Sequence, residues 1–96
     1  MLRYVVLLNW TEQGIKGVKD TLKRAATARQ MYEKAGAKLR DIFWTTGSYD
    51  LVLIVEAPSD DVVAALGLQI GMLGNVRSCI MRAYDEREME GILKKI

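Results

Sequence analysis

The period of apolar and polar positions changes several times along the chain, and each change marks an element. Residues 2–9, LRYVVLLN, are dense in Val, Leu and Tyr and read as a first strand. Beyond them, apolar residues recur at Ile15, Val18, Leu22, Ala25, Ala28, Tyr32 and Ala35, in steps of three and four that form one helical stripe. Thr11 stands where an N-cap belongs, Glu12 suits the first turn, and Gly36 suits the close of the helix. Gly14 and Gly17 weaken the early turns, which predicts a break near Asp20 with Thr21 capping a second segment. Residues 38–45 and 50–57 read as two more strands, and Pro58 ends the second of these. Ser59 is the next N-cap, followed by Asp60 and Asp61, and a helix runs from there to about Leu73, where Gly74-Asn75 stops it. Residues 76–84 read as a fourth strand, and residues 85–96, DEREMEGILKKI, as a short helix or tail whose charge runs from acidic to basic.

The order β-α-β-β-α-β predicts one α+β domain over residues 1–96, a ferredoxin-like βαββαβ fold with an antiparallel sheet in the order 4-1-3-2 and both helices on one face. Strand contents agree with that order. The central strands 1 and 3 carry YVVLL and LVLIV, apolar on both faces. The edge strands carry Lys38, Arg40, Asp41, Arg77 and Arg82, charges that guard against stray pairing. Helices cover only one face, so the other needs a cover of its own. A second copy packed face to face would supply it and make a dimeric α/β barrel. The alternative is a monomer whose C-terminal helix folds over that face.

Between strands 2 and 3 lies TGSYD, residues 46–50. Gly47-Ser48 fits a two-residue type II′ turn with glycine at the position of positive φ, so Gly47 is assigned a structural role. That register pairs Trp44 with Leu51. It sets Tyr49, Leu51, Leu53 and Val55 on a face with Trp44 and Ile42, and Asp50, Val52, Ile54 and Glu56 on the other with Phe43 and Leu39. Asp50 thereby enters an otherwise apolar face and needs donors: either it pins the hairpin through hydrogen bonds or it meets a ligand. Tyr49 is a cross-strand anchor or a ligand-orienting hydroxyl. Trp10 and Trp44, the only tryptophans, each sit near a strand end and line a pocket or a core. Arg77, entering strand 4, is placed to reach Asp50 or a ligand acid. Trp10, Trp44, Tyr49, Asp50 and Arg77 are thus the candidate ligand-binding residues. Cys79 reads as a small buried hydrophobe, and Gly67 and Gly71 as a smooth packing strip on helix 2.

Composition narrows the chemistry. The 96 residues carry a net charge of +2 and no basic run, which speaks against a nucleic-acid surface. The apolar N-terminus lacks a cleavage site and reads as a strand rather than a leader or a membrane span. One cysteine makes no internal disulfide, so a reducing cytoplasmic setting is expected. The chain has no histidine, which removes the commonest general base and the commonest metal ligand. No metal and no cofactor is expected.

TGSYDLVLIVEAP, with Gly47, Tyr49 and Asp50, resembles the Gly-x-Tyr-Asp signature of the GYD domain family. TEQGIKGVKD after strand 1 and LGNVRS before strand 4 are similar to that family too, so the resemblance covers nearly the whole chain. It implies a dimeric α/β-barrel fold in a bacterial or archaeal protein, with no firmly assigned activity. The family places a proline beside the break in helix 1, where DTLKRAATA has none. More distantly, the Thr-Gly-x-x-Asp hairpin is similar to one in the ligand-binding domain of leucine-responsive transcription regulators, where it lies near an effector site between dimers. Residues 1–96 themselves carry no helix-turn-helix domain of the kind such regulators place in front. Two functions follow as expectations: a homodimer that binds or senses a small molecule, or a cofactor-free enzyme of the monooxygenase or isomerase kind. The second would have to work with Asn9, Tyr4, Tyr49, Trp10 and Trp44 in place of histidine.

Overall fold

LRYVVLLNW forms β1 (Leu2–Trp10) and LVLIVEA forms β3 (Leu51–Ala57); both are apolar runs in which burial alternates, every second side chain being fully buried along the middle of β1 and the whole of β3. In the computed structural model, which describes residues 1–96, these are the central strands. β2 (Lys38–Trp44) and β4 (Val76–Ala83) flank them in the order β2-β3-β1-β4, with every pair antiparallel. Helices α1 (Glu12–Lys16), α2 (Thr21–Lys34) and α3 (Asp60–Met72) fill the two crossovers, and α4 (Glu86–Leu93) ends the chain. This is the ferredoxin-like α+β fold expected from the element order.

One face of the sheet is the core. Tyr4, Val6 and Leu8 from β1 meet Leu51, Leu53 and Val55 from β3, and Tyr32 of α2 with Val63 and Leu66 of α3 close over them. Burying a side chain such as Leu66 contributes about 2 kcal/mol. The caps fall where expected: Thr11 Oγ1 accepts from the Gly14 N–H at 3.0 Å and Ser59 Oγ from the Val62 N–H at 3.4 Å. Gly36, with φ 75°, ends α2. Asp85 and Glu88 form a reciprocal capping box at the start of α4.

Four local readings need correction. First, the stripe on helix 1 holds only in part. A 3₁₀ turn, Val18–Asp20, separates α1 from α2. Ala25, Ala28 and Tyr32 face inward as the stripe predicts, with Thr21 and Arg24 half-buried beside them. Leu22, about 60° from Ala25 around the helix, lies at the edge of the stripe and points outward, 69% exposed, and Ile15 of α1 is 47% exposed. Thr21 lies inside α2, with Asp20 at the N-cap position, and is not itself a cap. Second, a bulge at Arg40 lets Leu39 pair with Val55 while Asp41 pairs with Ile54. Leu39 is therefore buried on the helix side rather than beside Asp50. Third, the hairpin is wider than a two-residue turn. The ladder ends at Trp44–Leu51, and residues 45–50 form a loop closed by the Thr45 N–H to the Asp50 carbonyl at 2.8 Å. Gly47, with φ 152°, still carries the bend. Fourth, Cys79 is exposed, on the sheet face away from the helices.

That open face carries Val5, Leu7, Val52 and Ile54 in its centre, all half-buried. Phe43 and Met81 beside them remain 56% and 41% exposed, so α4 does not cover it. At one end of the face, Glu56 bonds Arg40 at 2.5 Å and lies 4.0 Å from Arg3. The Arg40 hydrogen bond, and behind it Arg3, holds the Glu56 carboxyl below its ordinary range.

Candidate functional site

Between α2 and α3, above the sheet, lies a cleft of about 320 Å³. The small residues Ala25 and Ala28 line it on the α2 side, with Met31 further along. Leu8, Leu51 and Leu53 make the floor, and Ile70 and Leu73 the far wall. Twelve of the seventeen lining residues are hydrophobic. The size and apolar lining are those of a small-molecule pocket.

Polar groups collect at one end, where α1 is latched to the turn between α3 and β4. The Thr11 N–H donates to the Asn75 carbonyl at 3.0 Å, and Thr11 Oγ1 donates to the Gly74 carbonyl at 2.5 Å. Gln13 Nε2 donates to the Leu73 carbonyl at 3.1 Å and to Asn75 Oδ1 at 2.9 Å. The approach is so close that a Cβ on Gly14 would lie 1.9 Å from the Asn75 oxygen. Arg24, from the first turn of α2, reaches back to the end of α1. Its guanidinium donates to the Gly14 carbonyl at 3.0 Å and the Gly17 carbonyl at 2.7 Å, capping groups that the short helix leaves free. Gly17 makes room for it: a Cβ there would stand 2.5 Å from the guanidinium nitrogen. Arg24, Thr21, Trp10 and Asn75 all line the cleft.

The five residues singled out from the sequence divide among three places. Trp10 lines the cleft. Trp44 stands beside it, its indole N–H donating to Thr21 Oγ1 at 2.9 Å. Tyr49 is half-buried in the loop, and its carbonyl accepts from Thr45 Oγ1 at 2.6 Å. Asp50 is outside the cleft wall, and its Oδ2 accepts the Trp10 N–H at 2.9 Å. Arg77 pairs in register with Asn9 on the open face and forms no ion pair, with Asp50 or any other group. Tyr4, considered as an acid, is a buried strut at the other end of β1. Its hydroxyl donates to Asp60 Oδ1, and burial together with that carboxylate pushes its pKa up to about 12. The hydroxyl of Tyr32 is likewise raised to about 12 by burial alone.

Arg24, Thr21 and Ala28 are absent from the residues singled out by sequence. The signal for the cleft was the run of alanines on helix 1, read there as part of a filled stripe. The signal for Arg24 was GIKG, whose two glycines are places of close approach rather than helix weakness.

The family model described as GYD domain matches residues 4–93. The chain belongs to the GYD domain family. No curated protein matches the sequence. Two solved structures share the GYD protein's fold. MtbAldR superposes with a TM-score of 0.68 at 13% identity, over 88% of this chain and 54% of that one. The GYD chain thus spans about half the length of MtbAldR. TTHA0845 from Thermus thermophilus superposes with a TM-score of 0.57 at 20% identity, over 88% of this chain and 95% of that one. No helix of the GYD protein is long and apolar enough to cross a membrane.

Proposed function

We propose that this GYD protein is a cytoplasmic small-molecule-binding protein whose cleft between α2 and α3 holds an apolar ligand. The cleft itself carries the reading: about 320 Å³ of apolar space above the sheet, with Trp10, Asn75 and Arg24 converging at one end. The enzyme reading is the weaker of the two. The lining includes no carboxylate, thiol or histidine, the side chains that most often serve as a general base or nucleophile.

Self-association belongs to the same reading. The open sheet face presents Val5, Leu7, Val52 and Ile54 with Phe43 and Met81 exposed beside them. A second copy packed on this face would give each sheet the two-sided cover that its central strands are built for. The cleft lies on the opposite side and stays accessible in such a dimer.

The test of the cleft is to fill it. Ala28→Trp places an indole in the gap between α2 and α3. Octanoate and related amphipathic compounds should raise the melting temperature of the natural protein, since a ligand at roughly 100 times its Kd stabilises by about 2.7 kcal/mol. Ala28→Trp should fold and lose that response. An undiminished response in Ala28→Trp would place the ligand elsewhere, and no response of the natural protein to any apolar compound would refute binding.

A further inference from the structure

The geometry points to an apolar monoanion as the ligand, a carboxylate with a hydrophobic tail, whose acid group is met by Arg24. This rests on the cleft being the binding site and adds the class of compound that it takes.

The charge of the lining is one-sided. Lys23 and Arg24 contribute to the wall, and no acidic residue does. Lys23 is solvent-exposed and lies 4.0 Å from Asp20, so its charge is already answered outside the cleft. Arg24 is half-buried and has no carboxylate partner. Its bonds are to two neutral carbonyls, Gly14 and Gly17, which fix the guanidinium in place and leave its positive charge uncompensated. A guanidinium has more N–H donors than those two bonds use, and its planar fork suits a carboxylate. A cation at the edge of an apolar cavity, where screening by water is reduced, gains most from an anion seated there.

Positioning is built into the backbone. Gly17 has no Cβ to displace the guanidinium, and Gly14 lets the turn at Asn75 close the end of the cleft. Leu8, Leu51 and Leu53 then lie beyond the cation as an apolar floor for a tail. The arrangement is polar at one end and apolar along its length, which is the shape of an amphipathic acid.

Octanoate and 1-octanol test it, because they share a chain and differ in the charge of the head group. Calorimetric titration of the natural protein should show octanoate binding at least ten-fold more tightly than octanol. Arg24→Gln should remove that preference. Lys23→Gln should keep it. An Arg24 that only caps α1 would lower the melting temperature on Arg24→Gln while the ratio of the two affinities stayed the same, and that result would overturn the assignment. If Arg24→Gln does not fold, Arg24→Lys and the head-group comparison on the natural protein decide the matter. Equal affinity for both probes, with both lost in Ala28→Trp, would overturn the anion and leave the cleft standing. Failure of both probes to bind the natural protein would overturn both readings.

Discussion

Asp50 makes three connections at the start of β3. Its carboxylate accepts the Trp10 N–H at 2.9 Å, its own N–H donates to the Leu8 carbonyl at 2.8 Å, and its carbonyl accepts the Thr45 N–H at 2.8 Å. It therefore ties the 45–50 loop to the end of β1 and holds the backbone of Trp10, a cleft residue, in place. Asp50→Asn keeps an acceptor oxygen but loses the charge that strengthens the bond to Trp10. A loss of about 1 kcal/mol is expected, or roughly 5 °C in melting temperature for a domain of this size. An unchanged or higher melting temperature together with lost ligand binding would instead mark Asp50 as part of a site. The need of Asp50 for donors was legible in TGSYD, because an acid at the start of an apolar strand must find them; whether backbone or ligand supplies them was not. The width of its loop was not legible, because Gly47-Ser48 alone does not state how far the ladder continues. Gly14 and Gly17 were harder still: their partners, Asn75 and Arg24, come close only through the fold.

Elements were legible where a period persists. The apolar runs of β1 and β3 mark the central strands, and the charges of β2 and β4 identify the edges. What escaped were irregularities of one to three residues. The bulge at Arg40 reverses the side on which Leu39 lies, and the 3₁₀ turn at Val18–Asp20 splits helix 1 in two. The cleft follows from side-chain size on α2. With Leu22 turned outward, the wall facing α3 is made of Ala25 and Ala28, which are too small to fill the gap. Over α3 the packing is close instead: a Cβ on Gly67 would stand 2.7 Å from Ile80 Cδ1, so this glycine lets α3 settle on β4. The sheet is thus sealed at α3 and left open beside α2, and the difference follows from side-chain size along two helices.

At the scale of the molecule, the sheet separates two apolar surfaces, the cleft beneath the helices and the open face behind them. Val52 and Leu53 are neighbours in β3 that face opposite ways, so they distinguish the two. Leu53→Lys puts a charge in the buried core and should prevent folding. Val52→Lys should preserve the fold and abolish self-association. Light scattering on the natural protein should report at least twice the 10.8 kDa chain mass, and on Val52→Lys the mass of a single chain. A natural protein that runs as a monomer at micromolar concentration would contradict the shared open face. The claim that a ligand enters the cleft is tested most directly by methyl-selective NMR during titration with octanoate. The account predicts saturable shifts at the methyls of Leu8, Leu51, Ile70 and Val76, with those of Val5, Leu7, Val52 and Ile54 unmoved. Saturable shifts confined to the open face, or none at all, would contradict it.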